Sequence, residues 1–187
     1  MKELIAFTED VKRTWKDHTG DSANTELLHI VLGLSGEILE ELTAAVMNKN
    51  QVNKKEEVGD YAYYLIMLMD YYGITGSLGK ERFLPIEHPE ALKKPYRAIQ
   101  YTTGMILDII KKLEIYKRDN AEHRNYLILA IHLNIQALDH FSRDNGFTVV
   151  EAIEAVINKL KVRYPDKFAD QGAVGRNHEL EMKELQK

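Results

Sequence analysis

The chain has 187 residues, 44% of them hydrophobic, a formal net charge of −4 and no cysteine. That length and apolar share suit one globular domain with a real core. The mild acidity gives no pull toward nucleic acid or an anionic membrane, and the missing thiols exclude disulfides and thiolate metal sites. The N-terminus, MKELIAFTEDVKRTW, breaks every apolar stretch with charge, so no signal-peptide core is expected. The longest apolar run, residues 61–69, is too short to cross a bilayer. A cytoplasmic protein follows as the expectation.

In chain order, Leu4, Phe7, Val11 and Trp15 recur at helical spacing and predict a first amphipathic helix over residues 3–18. Gly20-Asp21-Ser22 ends it, and Asn24 or Thr25 can cap a second helix running to about residue 48. A third is expected from about 53 to 72, closed by Gly73. Its large apolar face (Tyr61, Leu65, Leu68, Tyr72) reads as core, with Tyr61, Tyr63 and Tyr64 also able to stack on a base. Residues 73–95 hold six glycine and proline breakers and predict a long connection. Helices over about 96–116 and 121–144 follow, with Gly146 as the stop. Thr148 and Glu151 form a capping box for a sixth helix reaching about residue 164, which Pro165 ends. Residues 169–187 are polar and read as a loose or partner-docked tail. With almost no strand signal, the fold class is all-α, a bundle of about six helices.

The second and third helices carry the chemistry. Glu37 and Glu40 lie three apart, as do Glu57 and Asp60, so each pair shares a helix face. An antiparallel turn between them would bring four carboxylates to one spot, a cluster that repels itself unless a cation neutralises it. All-oxygen ligands of this hardness suit Mg²⁺, with Mn²⁺ as the alternative. Gly36 and Gly59 sit beside the pairs, where a helix interior loses about 1 kcal/mol per glycine relative to alanine. Close helix approach or a ligand would account for that cost. Glu41 and Glu56 neighbour the pairs and are either solvated or candidates for a general base. The histidines show no metal-ligand spacing, and His132 and His140 are expected in core or at the surface.

The stretch GLSGEILEEL, followed by a polar turn and EEVGDYAYYL, resembles the MazG-like all-α nucleoside triphosphate pyrophosphohydrolase family. The run NKLKVRYPDKF, residues 158–168, is similar to that family's closing motif. The similarity covers about residues 25–75 and 148–168, which makes 92–145 a two-helix insert in a domain spanning 1–168. The resemblance implies Mg²⁺-dependent hydrolysis of (deoxy)nucleoside triphosphates to the monophosphate and pyrophosphate, with attack between the α and β phosphates. It places Glu37, Glu40, Glu57 and Asp60 as catalytic metal ligands and implies phosphate contacts from Asn158 and Lys161. Arg163 belongs to the same motif, and Lys54 or Lys55 could reach phosphate as point charges. Tyr164 and Phe168 read as packing residues. A homodimer is the expected assembly, with no nucleic-acid or membrane partner.

Two other readings stand beside this one. The same metal site would serve a phosphoribosyl or alarmone diphosphate, or the chain is a helical scaffold without turnover. Glu40→Gln and Asp60→Asn are each expected to abolish activity while leaving thermal unfolding unchanged or raised.

A shift of 68 residues aligns Val31, Gly36 and Glu40 with Ile99, Gly104 and Asp108. It puts Met105 at Glu37, Asn125 at Glu57 and Ile128 at Asp60. Helices four and five then read as a degenerate copy of the catalytic pair that has lost most of its ligands.

Overall fold

The computed structural model describes residues 2–22, 24–46, 50–74, 94–169 and 175–186, by backbone alone at 2, 3, 39 and 41–46. Its elements are α1 (Lys2–Ile5), α2 (Thr8–Thr14), α3 (Thr25–Val46), α4 (Gln51–Tyr71), α5 (Pro95–Glu114), α6 (Ala121–Asp144), α7 (Val149–Arg163) and α8 (His178–Leu185). Among the described residues every regular element is a helix, as the 3.6-residue periodicity requires. None is long and apolar enough to cross a membrane.

The bundle is built on α4. It packs lengthwise on α3 and α7 and touches α2, α6 and α8. Val58, Ala62, Ile66, Leu68 and Met69 are all fully buried on it. Glycine sets how near the neighbours come. A Cβ at Gly33 of α3 would land on the Tyr64 ring, and one at Gly59 of α4 would meet the Ala152 carbonyl and Val156 of α7. Gly36, by contrast, has open space around its Cα. The helix contact expected at Gly36 is therefore made one turn earlier, at Gly33.

A second hairpin, α5 with α6, lies against the first through α3 and α4. The seam between the hairpins carries a buried polar pair, Tyr61 and Thr103, joined through their hydroxyls at 2.7 Å. Within the second hairpin, Asn134 Nδ2 donates to Thr102 (2.9 Å) and Thr103 (3.1 Å). Both hairpins close with the same cap. Gly73 (φ 63°) and Gly146 (φ 82°) are left-handed, and the next residue's N–H reaches back five positions, Ile74 to Met69 and Phe147 to Ser142.

Local signals place most boundaries. Asn50 and Asn120 cap α4 and α6, and the Thr148–Glu151 capping box opens α7. The predicted first helix divides instead: α2 ends at Trp15, whose backbone turns extended (ψ 141°). The expected tail also differs. It contains α8, which docks on α7 and buries Glu181 and Leu185. The long connection expected over 73–95 lies, from residue 75 to 93, outside the described residues.

Candidate metal and polyphosphate site

α3 and α4 bring Glu37, Glu40 and Glu57 together, with one oxygen of each within 4.8 Å of the others. Glu57 is buried, Glu37 half-buried and Glu40 exposed, so the group opens from core to solvent. Burial, then the charges of Asp60, Glu40 and Glu57, push the Glu37 carboxyl up to about 8. Burial, then Glu40, Asp60 and Glu56, push Glu57 up to about 7. The cause is shared: carboxylates crowded in a poorly solvated space lack enough positive charge. An all-oxygen donor set in that condition fits a hard divalent cation.

Asp60, the fourth expected ligand, is otherwise engaged. Lys159 of α7 donates to both its oxygens, at 2.6 and 2.9 Å, and to Glu56 at 3.1 Å. The lysine side chain is only 4% exposed. Burial acts to lower its pKa, but the charges of Asp60 and Glu56 outweigh that and raise it. The three bonds match the three donors of an ammonium group. Lys159 thus spends its one positive charge chiefly on Asp60 and Glu56, and the five acids together remain undercompensated.

These side chains line a cavity of about 480 Å³. Its wall is also aromatic. Trp15 stacks on His29 (4.3 Å between centroids, 18° between planes), and Tyr63 and Tyr64 pack around them. The buried indole Nε1 of Trp15 has no acceptor among the described residues. His18 bridges His29 (3.0 Å) and Asp21 (2.8 Å). Burial, followed by Glu37 and Asp60, raises the Tyr64 phenol to about 12, so Tyr64 stays neutral there. Lys16, Arg163 and Arg176 complete the polar lining.

The remaining expected residues lie elsewhere. Lys54 donates to Asn145 (3.1 Å) and ties α4 to the end of α6. Lys161 pairs with Asp10 at 3.2 Å, and Asn158 is exposed. None of the three lines the cavity. Glu56 does line it; the Glu41 side chain is outside those described. Tyr61 is buried against Thr103, so of the three tyrosines only Tyr63 and Tyr64 face the site. Tyr164 and Phe168 pack on each other, with centroids 5.0 Å apart. His140 is exposed and His132 half-buried, as expected.

Sequence reading passed over Lys159, Trp15, His29 and Arg176. Lys159 had a visible signal: it stands in the apolar stripe of Ala152, Val156 and Leu160, where a charge needs a partner. The chain matches no family model, and no curated protein or solved structure is significantly similar to it.

Proposed function

We propose that the protein is a divalent-cation-dependent nucleoside triphosphate pyrophosphohydrolase, releasing the nucleoside monophosphate and pyrophosphate. The observation that carries this reading is the carboxylate group of Glu37, Glu40 and Glu57, undercompensated and set in a cavity with aromatic and cationic walls. Glu37, Glu40 and Glu57 would hold Mg²⁺ or Mn²⁺. Held there, such a cation would supply charge withdrawal from the phosphates and a lowered pKa for bound water. Lys159 fixes Asp60 and Glu56 beside the ligands, so those two carboxylates are held aimed. Glu56, turned toward the cavity and adjacent to Glu57, is placed to accept a proton from the attacking water. The flat faces of Trp15 and Tyr64 suit a base, and the cations suit the phosphate tail. The similarity of GLSGEILEEL, EEVGDYAYYL and NKLKVRYPDKF to the MazG-like pattern supports the same reaction.

The test is pyrophosphate release from a panel of (d)NTPs with Mg²⁺ or Mn²⁺, beside phosphoribosyl and alarmone diphosphates. Release from at least one triphosphate, abolished by chelation and by Glu40→Gln, is expected. No release from any triphosphate under either metal would refute the reading.

A further inference from the structure

The cavity contains a part that lies beyond residue 168, where the motif-bearing sequence ends. α8 is anchored to α7 by a two-pronged bond from Arg163 to Glu181, at 2.9 Å from Nε and 2.6 Å from Nη2. The Glu181 side chain is 4% exposed and that of Arg163 is 14%. Arg176, just before the Asn177 cap of α8, reaches the same carboxylate through Nη2 at 3.2 Å. Both arginines line the acidic cavity. Two guanidinium groups on one carboxylate leave a surplus positive charge at that wall.

The cavity's cations are not equally available. Lys159 spends its three donors on Asp60 and Glu56, and the fork of Arg163 is filled by Glu181. Arg176 makes a single bond to Glu181 and its side chain is 39% exposed. A guanidinium has five N–H donors, so among the described residues most of those on Arg176 remain for a ligand. The buried carboxylate restricts where that group can swing. An arginine that is tethered, partly open and beside a divalent-cation site has the chemistry of a phosphate clamp.

We propose that Arg176 is a polyphosphate-binding residue of this site, and that Glu181 is the positioning residue that holds it at the cavity. The inference rests on the function proposed above. It adds that the C-terminal helix is part of the substrate site.

The experiment is calorimetric titration of the full chain, with Mg²⁺ present, by inorganic tripolyphosphate, which has no base or sugar. Loss of one charge-assisted contact should weaken binding in Arg176→Gln by about tenfold. Arg176→Lys, which keeps the charge and can keep the pair to Glu181, should recover most of it. Titration with Mg²⁺ alone should be the same in all three proteins, since Arg176 is not a metal ligand. Wild-type affinity in Arg176→Gln, or no recovery in Arg176→Lys, would overturn the proposal. So would a wild-type protein that releases pyrophosphate from nucleotides yet does not bind tripolyphosphate, and that result would leave the proposed function standing. A protein that neither binds nor hydrolyses refutes both.

Discussion

The α3–α4 and α5–α6 hairpins are alike in length, packing and final cap, yet their acids behave in opposite ways. Asp108, aligned with Glu40, points to solvent and meets Lys111 (2.6 Å) and Lys112 (2.7 Å) on its own helix. Hydrogen bonds from those two lysines hold its carboxyl at about 2. Glu37, half-buried among other acids, rises to about 8. An acid three or four residues before a lysine is a solvated surface feature. An acid whose neighbours are acids from a second helix holds its proton to higher pH unless a cation replaces it. The two hairpins show that a carboxylate's helical position matters less than what the facing helix presents.

Paired substitutions would break this contrast most sharply. Glu40→Gln should cut pyrophosphate release by about 100-fold or more, and Asp108→Asn should leave it unchanged; equal effects in a steady-state assay would erase the distinction. Next in size is Asp60→Asn. Because it removes a partner of buried Lys159, it should cost about 3 kcal/mol in denaturant unfolding. This corrects the expectation from sequence that stability would hold or rise.

The glycines give the next contrast. Gly59→Ala drives a methyl into the α7 backbone and should cost about 1–3 kcal/mol. Gly104→Ala, with open space around it, should gain up to about 1 kcal/mol in helix propensity. A melting comparison of the two variants decides it.

The pH profile belongs to the first hairpin as well. Glu37 and Glu57 titrate higher in the folded protein than in the unfolded chain, so folding tightens their hold on protons. The stability they contribute is present below about pH 4.5 and is lost as pH rises through 7 to 8. The metal-free melting temperature should therefore fall from pH 5 to pH 8. Millimolar Mg²⁺ should restore more of it at pH 8 than at pH 5. A profile that stays unchanged in a Glu37→Gln, Glu57→Gln double variant would assign the effect elsewhere. The smallest change is Tyr61→Phe, expected to cost about 1 kcal/mol by removing the hydroxyl contact to Thr103.

What the sequence revealed follows the range of the forces involved. The boundaries of α6, the capping box of α7 and the stops at Gly73 and Gly146 are settled within a few residues, and all were legible. So was the convergence of Glu37, Glu40 and Glu57, because helix periodicity and one antiparallel turn are enough to produce it. The partner of Asp60 was not, since Lys159 lies 99 residues away and nothing near Asp60 announces it. The same holds for α8. Five of its eight residues are polar, and the partner that lets Glu181 be buried, Arg163, stands on another helix. Trp15 was legible only as an apolar helix residue and His29 not at all, because their stacking depends on the chain reversing after α2.

The Asn134–Thr102–Thr103–Tyr61 cluster has a further consequence. Greasy surfaces tolerate sliding, whereas polar atoms sealed from solvent do not. Displacing the second hairpin by a turn along α4 would part the Tyr61 hydroxyl from Thr103, while the bonds from Asn134 to Thr102 and Thr103 would travel with that hairpin. The Tyr61–Thr103 pair therefore favours one alignment of the two halves. Misaligned collapsed forms are penalised during folding, before any ligand is present.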